Sequence, residues 1–283
     1  MKTVLALLSA VVLSACGPAV TPVPTATPIL PAEPAATVPT VAPTPSATAL
    51  ADGRFEVQGH RLFMECSGTG SPTVIFLHGL GGNSSDWSGT LGALGDVHTC
   101  IYDRVNAAGG RSSTDTARHT ATDSVEELHT LLDVAGIDPP YLLVGHSYGG
   151  ELALMYAGSY MDDIAGVLLL DANLPIEAEL DPPSIRDAVR ADMNNNPERL
   201  DFYEAYADTA AVLEYLPPVP ITYMYALIQD LPPEWPEGAY YEKLREWVDG
   251  LPKGRLVESQ SDHHMPRRIP NEIAAEIRGI LGP

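Results

Sequence analysis

From residue 52 onward the chain alternates short apolar runs with longer amphipathic stretches. Near-continuous apolar runs such as Val74-Ile75-Phe76-Leu77 and Gly166-Val167-Leu168-Leu169-Leu170 are the pattern of strands covered on both faces. Runs of this kind at 73–78, 99–102, 141–145, 164–170, 221–227 and 255–258 read as strands. Between two of them Val125, Leu128, Leu131, Leu132 and Ala135 recur at helical spacing. Asp123, three residues before Glu126, is the start signal for that helix, and Gly136 stands just past its end. Strand–helix–strand order predicts a parallel sheet with right-handed crossovers. The more polar segment 54–65 predicts an antiparallel hairpin at the sheet edge. Residues 51–283 are therefore expected to form one α/β domain.

The first fifty residues have a different texture. Lys2 precedes an apolar stretch of eleven residues, 3–13, too short to span a bilayer and suited to a signal peptide. It ends in Leu13-Ser14-Ala15-Cys16, which resembles the bacterial lipobox, and residues 1–16 are read as a signal segment whose Cys16 becomes lipidated. Such a lipid holds a protein at a membrane without a spanning helix. Residues 17–50 contain nine Pro, seven Thr and eight Ala, with Glu33 the single charge. That composition cannot bury a core and predicts an extended linker. The expected location is the cell envelope, as an exported, membrane-anchored lipoprotein. Across the chain 37 acidic side chains face 16 basic ones, a formal charge of −21, which argues against nucleic acid as a partner.

The most specific chemistry lies in Tyr141-Leu-Leu-Val-Gly-His-Ser-Tyr-Gly-Gly150. Gly145-x-Ser147-x-Gly149 follows a predicted strand and precedes a helical segment starting near Glu151. A strand turning this sharply into a helix strains the backbone at the serine and exposes its hydroxyl. Side chains at the two glycine positions would strike neighbouring backbone. The helix N-terminus then directs N–H groups toward developing negative charge.

Several further stretches agree in order with this one: Pro72-Thr-Val-Ile-Phe-Leu-His-Gly79, Tyr102-Asp-Arg104, Val167-Leu-Leu-Leu-Asp171, and Ser261-x-His263 with Pro270 seven residues on. From about Arg54 to Leu281 the chain resembles an α/β-hydrolase of the bacterial serine esterase type. The resemblance implies a mostly parallel eight-stranded sheet in the order 1-2-4-3-5-6-7-8, flanked by helices. It also implies a nucleophile–acid–histidine order: Ser147 as nucleophile, His263 rather than His264 as base, and Asp171 as acid, with Asp230 as the alternative. It places the oxyanion loop at His78-Gly79-Leu80-Gly81-Gly82, with backbone N–H groups of Leu80 and Tyr148 as donors. His78 and His146 are expected to be structural, and Asp103 and Arg104 to pair with each other. The segment 173–218 is expected to form a small helical cap. There Ile185, Val189, Phe202, Tyr203 and Leu213 either line an acyl pocket or, as the default, form the cap's own core.

With Cys16 assigned to lipid, Cys66 and Cys100 remain, on strands that the implied order makes neighbours. A disulfide and two buried thiols are both open, and the disulfide is preferred in an exported chain. No metal-ligand or dinucleotide motif is present, so no metal or cofactor is expected. The reading is a serine hydrolase of small-molecule carboxylic esters. An amidase, peptidase or acyltransferase using the same triad, or a non-catalytic binding protein on the same fold, are its rivals. Serine at the nucleophile position argues against the epoxide-hydrolase and dehalogenase branches, which use Asp there.

Overall fold

In the computed structural model, which describes residues 52–192, 195–229, 232 and 234–282, the apolar runs form one eight-stranded sheet. Cys16 and Asp230 lie outside the described residues. The strands are β1 (Asp52–Val57), β2 (His60–Ser67), β3 (Thr69–Leu77), β4 (Val97–Asp103), β5 (Tyr141–His146), β6 (Ile164–Leu170), β7 (Ile221–Ala226) and β8 (Gly254–Ser259). Their order is β1-β2-β4-β3-β5-β6-β7-β8, as the resemblance implied. β1 and β2 form the expected antiparallel edge hairpin, and β3 to β8 run parallel. Its two-residue turn places Gln58 at φ 48° and Gly59 at φ 90°, the positive values that tight hairpins need.

Alternation along the strands sorts the core into two layers. Val74, Phe76, Leu142, Val144, Leu168 and Leu170 point to one face, where they meet α1 (Ser88–Leu94) and α9 (Pro270–Leu281) through Leu94, Ile273 and Ile277. Ile75, Leu77, Leu143, Val167 and Leu169 point to the other, against α2 (Ala121–Ala135) and α3 (Tyr148–Ser159). Both faces are covered, which explains why the central strands are apolar throughout.

The helix anticipated before β5 starts earlier than its apolar spacing suggested. Thr120 is the N-cap of α2: its hydroxyl accepts from Asp123 N at 3.0 Å, while Asp123 Oδ2 accepts from Thr120 N at 2.8 Å. Asp123 is thus the third residue of a capping box, not its start. Gly136 ends the helix in the left-handed conformation at φ 68°, as expected.

Between β6 and β7 the chain forms α4 (Ile176–Leu180), α5 (Pro183–Asp192) and α6 (Phe202–Val212). After β7 come α7 (Ala239–Gly250) and, beyond β8, α8 (Met265–Arg268). Among the described residues no helix is long and apolar enough to cross a membrane.

Candidate active site

The turn from β5 into α3 has the geometry that its glycines demand. Ser147 sits at φ 52°, ψ −124°, a conformation that non-glycine residues hold only when their surroundings force it. A Cβ on Gly145 would lie 2.3 Å from the Gly149 carbonyl oxygen, and one on Gly149 would lie 2.2 Å from the Leu77 carbonyl oxygen. The helix begins at Tyr148, three residues before the expected start, so Tyr148 carries its first N–H. That group has no intrahelical acceptor.

Asp171 follows β6 directly and also has a positive φ, 43°. Its Oδ2 meets His263 Nδ1 at 2.7 Å. Its Oδ1 accepts from Ala226 N at 3.2 Å and Gln229 Nε2 at 2.8 Å. The carboxylate is buried and aimed from both sides. The hydrogen bond to Asp171 raises the pKa of His263 above its ordinary value, against the opposing effect of burial. His146, next to the serine, behaves differently. Burial, then the neighbouring His263, pushes its pKa down to about 4, and its Nε2 donates to the His263 carbonyl oxygen at 2.6 Å. His146 therefore holds the loop of His263 and is not placed to act as a base. His78 is structural as expected: it is fully buried, with Nδ1 on the Gly79 carbonyl oxygen at 2.9 Å and Nε2 accepting from Arg104 N at 3.3 Å.

Two cavities meet at His263. One, of about 230 Å³, is lined by Ser147, His146 and the loop Gly79-Leu80-Gly81-Gly82. The other, of about 300 Å³, is lined by Asp171, Asn173, Glu177, Asp181, Phe202, Tyr206 and Trp235, among others. The Ser147 hydroxyl donates to Asn173 Oδ1 at 3.0 Å; no hydrogen bond joins it to His263 among the described residues. Asn173 Nδ2 in turn reaches Glu177 Oε2 at 3.2 Å and Tyr206 Oη at 3.3 Å, and Tyr206 donates to Glu177 at 2.6 Å. Burial lifts the Glu177 carboxyl to about 7. In the oxyanion loop Gly82 N closes a turn on the Gly79 carbonyl at 3.1 Å and Gly81 N reaches Glu198 at 3.4 Å. Leu80 N has no protein acceptor among the described residues, so both expected oxyanion donors are unspent.

A family model described as the alpha/beta hydrolase family matches residues 74–281. The chain belongs to that family. The chain is 28% identical over 257 residues to lipase LipV of Mycobacterium tuberculosis, an alignment covering 76% of the chain and 95% of LipV. It is 37% identical over 108 residues to YqjL of Bacillus subtilis, covering 38% of the chain and 42% of YqjL. The chain spans less than half the length of two of the curated relatives it matches, 18% of one and 42% of the other. Among solved structures, an esterase from Thermogutta terrifontis superposes with a TM-score of 0.60 at 18% identity, covering 81% of this chain and 97% of that one. At that identity the likeness shows the shared fold.

Asp103 and Arg104 do not pair with each other, contrary to expectation. Asp103 accepts from Ser84 N at 2.7 Å and Arg111 N at 2.6 Å. Arg104 is buried and forms a two-pronged ion pair with Glu198, at 2.7 and 2.8 Å, while donating to the carbonyls of His78 at 2.6 Å and Gly79 at 3.1 Å. Successive side chains at a strand end point to opposite faces of the sheet, so Asp103 and Arg104 meet different partners. Glu198 comes from the segment between β6 and β7 and ties it to the oxyanion loop. Sequence reasoning missed Glu198, Asn173, Glu177, Tyr206 and Gln229, since none lies in a motif. Asn173 alone carried a signal, two residues beyond Asp171. The apolar residues assigned by default to a cap core divide: Ile185, Val189, Phe202 and Tyr203 line the larger cavity, while Leu213 packs on the main core. The wall facing them comes from Pro232, Trp235 and Tyr240, after β7. Cys66 and Cys100 stand opposite each other in the β2–β4 register and are joined by a disulfide, so the thiol alternative falls. Closing a 34-residue separation stabilises the chain by roughly 3 to 4 kcal/mol on loop-entropy grounds.

Proposed function

We propose that the protein hydrolyses carboxylic esters through a Ser147–His263–Asp171 triad and an acyl-enzyme. The observation that carries this reading is the 2.7 Å Asp171–His263 pair beside a serine held at φ 52° in a shared cavity. Ser147 Oγ attacks the ester carbonyl carbon and gives its proton to His263 Nε2, while Asp171 holds Nδ1–H and stabilises the imidazolium. Rotation about the Ser147 side chain turns the hydroxyl from Asn173 to His263; such contacts tighten when substrate binds. An amide oxygen such as Asn173 Oδ1 cannot take the proton, which leaves His263 as the base. The carbonyl oxygen, as it gains charge, receives N–H from Leu80 and Tyr148, each such donor contributing about 3 kcal/mol or more to the transition state. His263 then protonates the leaving alcohol, and water releases the acid by the reverse sequence.

The larger cavity suits one moderate ester substituent. It is lined by aromatic rings and by Glu177 and Asp181, and among the described residues no Lys or Arg lines it. That lining supports neutral esters over those with a carboxylate in the acyl chain. The similarity to a lipase and an esterase supports the same reaction class. Lipid on Cys16, with 17–50 as a tether, places the enzyme at a membrane of the cell envelope in this reading. A fluorophosphonate probe tests the nucleophile: wild type is expected to gain one adduct on Ser147 and Ser147→Ala none. Absence of labelling in folded wild type would favour a non-catalytic binding role. p-Nitrophenyl esters of rising acyl length then measure the pocket, with short and medium chains expected to be preferred.

A further inference from the structure

At the sheet edge, outside the two cavities that meet at His263, two histidines and two carboxylates converge from three separate parts of the chain. His60 opens β2, Asp115 and His119 lie in the loop before α2, and Glu127 lies within α2. Asp115 Oδ2 is 3.0 Å from His60 Nε2 and 3.1 Å from His119 Nε2. The other ring nitrogen of His60 meets Glu127 Oε1 at 2.9 Å, and Glu127 is buried. Donor atoms of His60, Asp115 and His119 all lie within 4.8 Å of one another.

With a neutral His60, hydrogen bonding alone does not satisfy this arrangement; a second proton on the ring, or a metal ion, is needed to serve both carboxylates. A neutral imidazole has one N–H and one lone pair, and a carboxylate only accepts. Both nitrogens of His60 face carboxylate oxygens, so in the neutral ring one lone pair points at an acceptor. With Nδ1–H donated to the buried Glu127, the unsatisfied lone pair is on Nε2, the nitrogen that shares Asp115 Oδ2 with His119. A cation among Nε2 of His60, Nε2 of His119 and Oδ2 of Asp115 removes the conflict.

We propose that His60, His119 and Asp115 bind a divalent transition-metal ion, with zinc the best match. The two separations from Asp115 Oδ2 agree: two ligand atoms about 2.1 Å from one ion and separated by 90–110° stand roughly 3.0 to 3.4 Å apart. The Asp115 carboxylate is already aimed. Its Oδ1 accepts from Ala117 N at 3.1 Å and Asn106 Nδ2 at 3.4 Å and lies 3.1 Å from His119 Nε2, while Oδ2 faces both histidines. Asn106, at φ 62°, also accepts from Asp115 N at 2.9 Å, so a strained residue supports the ligand. Glu127 on the far nitrogen of His60 is the outer carboxylate that commonly orients a metal-bound imidazole. Two imidazoles and one carboxylate favour zinc and its neighbours over calcium or magnesium, which take oxygen ligands. Three protein ligands leave a further position for water. The ion clips the edge hairpin to the loop and to α2.

The experiment uses the full chain without a polyhistidine tag, stripped of metal by chelator and dialysed. Titration calorimetry and elemental analysis are expected to find one Zn²⁺ per chain, with a melting temperature raised by several degrees and no such effect of Ca²⁺ or Mg²⁺. Co²⁺ is expected to give visible absorption bands typical of a low-coordinate nitrogen and oxygen site. His119→Ala and the near-isosteric Asp115→Asn are each expected to weaken Zn²⁺ binding at least tenfold. Circular dichroism and fluorophosphonate labelling of Ser147 report that the variants stay folded. No bound zinc in the wild type, or equal binding in folded Asp115→Asn and His119→Ala, would overturn the proposal and leave the four residues as a hydrogen-bonded clasp.

Discussion

Ser147 and Asn173 meet across 3.0 Å, yet different forces hold them there. Ser147 is placed by backbone against backbone: a buried strand, a helix start, and two glycines with no room for a side chain. Asn173 and its surroundings are placed by side chains. Glu177 and Tyr206 hold Asn173; Tyr203 at 2.6 Å and Trp235 at 2.8 Å hold Asp181; and Arg104 holds Glu198. The first region rests on backbone sterics, which no titration changes. The second depends on carboxylates whose charge and partners come from distant segments. On the proposed function, the chemistry sits in the first region and the selectivity in the second.

The largest effect is expected on the chemical side. Asp171→Asn preserves shape but removes the acceptor for His263 Nδ1–H, and turnover of a p-nitrophenyl ester is expected to fall about 10⁴-fold. In the wild type the acidic limb of kcat/KM is expected above pH 6.5, the ordinary histidine value, because the base works only when neutral. In Asp171→Asn the limb moves down, since the hydrogen bond that raises the pKa is gone. An unchanged limb would detach His263 from Asp171.

Glu198→Ala tests the link between the two regions. It leaves Arg104 buried without its anion, and denaturant unfolding is expected to show a loss of about 3 to 5 kcal/mol. A loss below 1 kcal/mol would show that the carbonyls of His78 and Gly79 suffice for Arg104. Asn173→Ala is expected to change kcat/KM by less than about tenfold, the scale of one hydrogen bond. A loss as large as that of Asp171→Asn would make Asn173 part of the machinery.

The smallest effect concerns pH and stability. The Glu177 carboxyl titrates near 7 in the folded chain against an ordinary 4.5. The folded state therefore holds a proton that the unfolded chain releases, and stability falls as pH rises from 4.5 to 7. Glu177→Gln is expected to flatten that decline in urea titrations across this window, and an unchanged slope would assign it to other groups.

The same division explains what the sequence disclosed. The elbow at Ser147 was legible because backbone sterics write glycines and apolar runs at fixed spacings; strand order, His263 and Asp171, with Asp230 as alternative, came from the family resemblance those runs carry. The Cys66–Cys100 bond followed from strand order. Arg104–Glu198, Asn173–Glu177–Tyr206 and the Trp235 wall were not legible, because such side-chain contacts join positions that no period or motif links. Asp103-Arg104 misled for the same reason: adjacency in sequence suggested a pair, and folding gave each residue a different partner.

The central claim is that Ser147 is the atom that carries the acyl group. Steady-state hydrolysis of p-nitrophenyl butyrate by purified wild type and folded Ser147→Ala tests it most directly. The expected result is turnover in the wild type and a loss of about 10⁶-fold in the variant. Ester hydrolysis retained in Ser147→Ala would contradict it.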